Sequence, residues 1–256
     1  MTQTLAAHEA VLASVVAEEP HPLLFATVSG AHLYGFPSRD SDVDLRGVHL
    51  LPARALLGLD EPEETRDRTW HRDGVELDLV THDLRKFARL MLRRNGYVLE
   101  QLTSPLVVRT TPLHAELAAL VPRVLTRHHA HHYRGFAATQ WRLFERSGEL
   151  KPLLYTYRAL LTGIHLMRSG EIQAHLPTLA AALPEAPARI PDLVAAKAAA
   201  EHGAAAVRPE EAREEVETLH GLLDAARDGS ALPDEAGARD ALHDLVVRAR
   251  LEPLEG

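Results

Sequence analysis

Between Leu23 and Leu51 the chain narrows its own options: an unbroken apolar run, LLFATV, halts at Ser29 and Gly30, and after GAHLYGFPSRDSD an alternating segment, VDLRGVHLL, begins. Pro20 and Pro22 end an amphipathic helix expected over residues 5 to 19, so the apolar run reads as a buried strand followed by a tight turn. Gly30 then lets the chain turn sharply into a helix while leaving room beside the backbone. A phosphate suits that room, because free amides at a helix start and the Ser29 hydroxyl are donors aimed at an anion.

VDLRGVHLL, from Val43 to Leu51, alternates as a strand should, and GVELDLV, from Gly74 to Val80, does so again with Glu76 and Asp78 on one face. The first part of the chain therefore reads as an α/β (α+β) mixed sheet with flanking helices. From Thr111 onward strand signals almost vanish and long helical stretches take over, HAELAALVPRVLTRHHAHHYRGFAATQWRLFER and PLLYTYRALLTGIHLMRSGE among them. We place a domain boundary near residue 110: a sheet domain over 1–110 and a helical bundle over 111–256.

Asp42 and Asp44 lie two apart on the strand after the turn, so their carboxylates leave one face with Cβ atoms roughly 6 to 7 Å apart. Two unpaired like charges at that separation are costly, and a divalent cation removes the conflict. Oxygen ligands and substrate phosphates suit Mg2+ or Mn2+, and a pair of such ions about 4 Å apart serves the attacking and leaving oxygens of a phosphoryl transfer. Asp78, flanked by Leu77 and Leu79, is the expected third carboxylate on a neighbouring strand, with Glu76 second to it.

With Ser29, Gly30, Leu33, Tyr34, Gly35, then Ser41, Asp42, Val43, Asp44, Leu45, Arg46 and Gly47 in this order, the chain resembles the DNA polymerase beta superfamily of nucleotidyltransferases. It looks most like the bacterial branch that includes the RNA-ligase-associated, RNA-repair nucleotidyltransferases. Asp78, Leu84, Arg85, Lys86, Phe87, Asn95 and Glu100 continue the match, with Gly96 where the branch has proline after the asparagine. Lys151, Tyr155, Arg158, Leu166, Gly170 and Glu171 are similar to its helical region.

The resemblance implies transfer of a nucleoside monophosphate from an NTP such as ATP, with pyrophosphate leaving. It implies Asp42, Asp44 and Asp78 as catalytic residues and metal ligands in a two-metal site. Ser29, Gly30, Arg46, Lys151, Tyr155 and Arg158 are then the expected nucleotide-binding residues, Arg46 and Lys151 neutralising developing charge. An RNA end is the first expected acceptor. The alternatives are nucleotidylation of a protein or small molecule such as an aminoglycoside, and a nucleotide-binding module that has lost catalysis.

A net charge of −8 excludes a uniformly basic coat for nucleic acid, yet Arg123, Arg127, Arg134, Arg142, Arg146, Lys151 and Arg158 outnumber Glu145 and Glu149 in one stretch. That strip is where phosphates are expected. His128, His129, His131 and His132 read as solvated histidines on this basic helix rather than a metal cluster, with no carboxylate partner evident in sequence. Trp70, Trp141 and the tyrosines are too sparse for a base-stacking platform. The chain has no cysteine, no signal-like N-terminus and no membrane-length apolar run, from which a cytoplasmic protein is expected.

Overall fold

A computed structural model describes residues 8–38, 41–199 and 207–251. In chain order the elements are α1 (Glu9–Ala17), β1 (Leu23–Val28), α2 (Gly30–Tyr34), β2 (Val43–His49), α3 (Ala53–Leu57), β3 (Thr65–Arg72), β4 (Val75–Asp83), α4 (Leu84–Leu92), α5 (Gly96–Leu102), β5 (Val107–Arg109), α6 (Pro112–Ala119) and α7 (Val121–Val124). A 3-10 turn (Arg127–His129) then precedes α8 (Ala130–Ser147), α9 (Leu150–Ser169), α10 (Leu176–Ala182), α11 (Ile190–Ala199), α12 (Pro209–Asp228) and α13 (Arg239–Leu251). The expected helix over residues 5 to 19 is α1, and its first three positions lie outside the described residues.

The chain packs as two compact units, each drawn from separated stretches: residues 1–30, 42–124 and 236–256 in the first, residues 31–41 and 125–235 in the second. Residues 111–124 and α13 group with the first unit. The physical reason is visible in α13, where Arg250 donates to the fully buried Asp83 carboxylate at 2.6 and 2.8 Å, a bond between residues 167 positions apart.

In the first unit five strands form a mixed sheet in the order β3-β4-β2-β1-β5. Only β2 and β4 run parallel, and the other pairs are antiparallel. One sheet face is closed by α1: Leu12 and Val15 pack on Val28, Val43, Leu45, Val75, Leu77 and Leu79, the alternate positions of three strands. Complete burial of such side chains contributes roughly 1.5 to 3 kcal/mol each, which fixes the register because a one-residue slip would expose all of them. The other face then presents Asp44, Arg46 and Asp78. Farther along, that face is roofed by helices: the Phe25 ring meets Phe87 of α4 edge-on at 5.5 Å, and the Thr27 hydroxyl donates to the Gln101 carbonyl of α5.

Two strands carry no clear alternation in sequence, the polar TRDRTWHR of β3 and the three residues of β5. Both lie at sheet edges, where a strand is defined by its one neighbour rather than by an apolar face.

The second unit is built around α9, whose 20 residues are buried on almost every side, as a helix with apolar groups all round must be. A side-chain carbon at Gly163 would sit 2.9 Å from Leu223 of α12 and 3.0 Å from Tyr133 of α8, so glycine there sets how closely these helices approach.

Candidate active site

The antiparallel pairing of β1 with β2 continues one step past the strand, where the Ser29 amide donates to the Asp44 carbonyl at 2.8 Å. Gly30 follows at φ +59, in the left-handed region. A Cβ there would stand 1.8 Å from Asp44 Oδ2, so the absent side chain leaves the place into which the carboxylate fits. Ser29 is fully buried, and its hydroxyl has no hydrogen-bond partner among the described residues. An unpaired buried hydroxyl costs free energy unless a ligand or water completes it.

Asp44 of β2 and Asp78 of β4 are direct register partners across the parallel pair, and both remain partly exposed, with side chains 18% and 27% accessible. Asp42 lies one residue before β2 begins, partly exposed. The structure therefore joins Ser29, Gly30, Asp44 and Asp78 at one end of the sheet, with Asp42 adjoining along the chain. Glu76, on the same face as Asp78, lies 3.7 Å from the exposed His71 ring.

Arg46 sits two residues along the same face and is 7% exposed. Its Nη2 donates to Asp44 Oδ1 at 2.5 Å and to Asp78 Oδ2 at 2.7 Å. Its Nη1 donates to the carbonyls of Leu45 at 2.9 Å and Asp78 at 2.7 Å, and its Nε to the Tyr97 hydroxyl at 3.0 Å. Burial works against the guanidinium charge, but Tyr97, Asp44 and Asp78 more than offset it and hold the pKa above its ordinary value.

Two residues in this site were not anticipated from the sequence. Tyr97 is brought in by Asn95, whose side chain accepts from the Tyr97 amide at 3.1 Å and caps α5. Asn95 was legible as part of a motif, but its task as a cap gave no hint of the partner. Thr69 of β3 pairs with Asp78 and directs its hydroxyl at Asp78 Oδ1, 3.3 Å away. It could be found only once β3 was recognised as an edge strand.

Lys151, Tyr155 and Arg158 lie on α9, in the second unit. Arg158 is buried, its guanidinium 4.0 Å over the Tyr34 ring and 5.4 Å from Phe136, while Tyr155 meets Tyr34 and Phe36 edge-on at 5.6 and 5.3 Å. Cation–π contact of a desolvated arginine contributes about 2 kcal/mol, a packing role in its own right. In the basic strip, Arg127 pairs with Asp234 and Arg134 with Asp224, acids supplied by sequence-distant segments. His128 also reaches Asp234, at 3.5 Å, a carboxylate partner the sequence did not reveal. His131 stacks on His128, and the buried His129 caps its own turn through Thr126. Among the described residues no group of three or more His, Asp or Glu converges as a ready-made metal cage.

Hard carboxylate oxygens still suit a divalent ion at Asp42 and Asp44, where substrate phosphates would complete the ligand set. The partial exposure of both residues fits that arrangement, and Gly30, lacking a side chain, gives the Asp44 carboxylate its place beside the turn. Between Asp44 and Asp78 the fit fails, because Arg46 Nη2 already lies within bonding distance of both carboxylates.

Residues 6–248 match the model of the RNA repair pathway DNA polymerase beta family, RlaP. The uncharacterized protein MJ0002 of Methanocaldococcus jannaschii is 29% identical over 153 residues, covering 59% of this chain and 63% of its own length. The uncharacterized protein YcgL of Bacillus subtilis is 31% identical over 85 residues, 33% of this chain and 32% of its own. The chain thus spans less than two thirds of either relative. A nucleotidyltransferase-like protein of Exiguobacterium sibiricum 255-15 superposes with a TM-score of 0.35 at 14% identity, over 98% of this chain and 81% of that one.

Proposed function

The chain belongs to the RNA repair pathway DNA polymerase beta family, and we propose that it is a metal-dependent nucleotidyltransferase moving a nucleoside monophosphate from an NTP to an acceptor hydroxyl or phosphate, first of all an RNA end. The observation that carries this reading is the register pairing of Asp44 with Asp78 beside the Ser29–Gly30 turn. Three features noted separately along the sequence converge on one end of one sheet.

In this reading Asp42 and Asp44 would hold Mg2+ or Mn2+, which would supply Lewis-acid stabilisation of the negative charge that develops on the departing pyrophosphate. The buried Ser29 hydroxyl gains its missing partner by donating to the triphosphate tail, and Gly30 leaves the Asp44 carboxylate its place beside the turn. Asp78 accepts the proton of an attacking hydroxyl through Oδ1, the oxygen not engaged by Arg46. Asn95 and Tyr97 hold Arg46, and through it the two aspartates, in fixed orientation. Lys151, Tyr155 and Arg158 are proposed as nucleotide-binding residues carried by the second unit. A cytoplasmic location is part of the proposal; separately, no described helix is long and apolar enough to cross a membrane.

The test is incubation with NTPs labelled at the α-phosphate and Mg2+, offering RNA ends, proteins and aminoglycosides in separate reactions. Label on RNA that vanishes in Asp42→Ala and Asp44→Ala supports the proposal. Label appearing only on protein or aminoglycoside removes the RNA acceptor, and transfer that survives both substitutions removes this site altogether.

A further inference from the structure

Arg46 is the most fully engaged charged group in the site, and the role inferred for it rests on the nucleotidyl-transfer reading. A guanidinium has five N–H donors and no acceptor. All five of those on Arg46 find an oxygen within the fold: the Tyr97 hydroxyl, the Leu45 and Asp78 carbonyls, and the Asp44 and Asp78 carboxylates. None is left to reach an incoming phosphate. The side chain cannot swing away cheaply either, because it is 7% exposed and its departure would strand several buried acceptors together.

The geometry between the carboxylates is more telling than the count. Asp44 Oδ1 and Asp78 Oδ2 converge on the same nitrogen, at 2.5 and 2.7 Å. A shared point between two carboxylates on neighbouring strands is where the ion nearer the attacking group would stand in a two-ion site. Magnesium demands near-ideal octahedral geometry and cannot share that space with a nitrogen.

We propose that Arg46 is the built-in counter-cation of this site, occupying the place between Asp44 and Asp78 that a second divalent ion would take, so that the chain works with one exchangeable ion on Asp42 and Asp44. Arg46 is then a positioning residue rather than a phosphate clamp. Its fixed charge keeps the aspartate pair together before substrate arrives, and it presents Asp78 with Oδ1 turned toward Thr69 and away from the guanidinium.

The test counts ions on the folded protein. Native mass spectrometry and Mn2+ electron paramagnetic resonance are applied to the native chain with Mn2+ and the α,β-methylene analogues of all four NTPs. One Mn2+ per chain, without the spin coupling of a close ion pair, is expected. Arg46→Met, which removes the charge and keeps much of the volume, is expected to take up a second, coupled Mn2+; Arg46→Lys, which keeps the charge, is expected to stay at one. Two coupled ions in the native chain overturn the assignment, as does a folded Arg46→Met variant that holds only one. Should that variant fail to fold, the native count still decides. No bound Mn2+ in the native chain overturns the nucleotidyltransferase reading along with this one, whereas a native count of two leaves that reading standing.

Discussion

The carboxylate of Asp44 occupies the space in which a side chain at residue 30 would begin, with Oδ2 1.8 Å from where the Gly30 Cβ would stand. Glycine is thus required twice, once for a left-handed backbone at φ +59 and once for the close approach of the Asp44 carboxylate.

Gly30→Ala should damage function more than folding. The left-handed conformation costs an alanine roughly 1 to 2 kcal/mol, which for a chain of this length lowers Tm by several degrees. The displaced Asp44 is expected to lower nucleotidyl transfer at least about 100-fold. Calorimetry beside a single-turnover assay separates the two effects, and near-native transfer would mean that the contact between residues 30 and 44 has no part in catalysis.

Asp78→Asn preserves shape but removes the proton acceptor, and it turns an amide toward Arg46 or Thr69. Turnover is expected to fall roughly 10²- to 10⁴-fold, with KM for the NTP little changed. A change confined to KM would assign Asp78 to nucleotide binding instead.

Asp83 caps α4 through the Arg85 amide, accepts the Leu51 amide at 3.0 Å and pairs with Arg250, all with no exposed side-chain surface. Asp83→Ala leaves the buried Arg250 charge uncompensated and should cost about 3 to 5 kcal/mol. Urea unfolding of the single and double Asp83→Ala, Arg250→Met variants checks it: the double change should cost less than the sum of the two singles, and strict additivity would contradict a direct pair.

His49 supplies a pH dependence. Burial pushes its pKa down to about 4, with Asp83 opposing and His21, Arg66 and His82 reinforcing the shift, while the unfolded chain keeps a value near 6.5. Between those values the unfolded state binds the extra proton, so stability is fully present above about pH 6.5 and declines as pH falls toward 4. The contribution is on the order of 3 kcal/mol. Denaturant midpoints across that range should lose much of their slope in His49→Gln, and an unchanged slope would show that other groups carry it.

The fold's centre was legible because burial leaves a period in the sequence. LLFATV is a strand as expected, VDLRGVHLL is one as far as His49 and GVELDLV is one from Val75, and Ser29, Gly30, Asp44 and Asp78 lie at one end of the sheet. Edge strands β3 and β5 left no such period, since pairing on one side alone asks little of their side chains.

What the sequence by itself determined is the local chemistry: which residues are acidic, where the backbone must turn, and which faces must be buried. Only the tertiary structure decided who answers whom. Arg46 could have reached for a phosphate or closed on its neighbours, and the parallel register of β2 with β4 supplies Asp78 at the one position that draws it inward. Asp83 could have been an ordinary helix cap, until α13 returned from far along the chain to set Arg250 against it. Periodicity is written within a few residues, whereas a charge pairs with whatever the folded chain brings beside it, and that distance is not encoded in spacing.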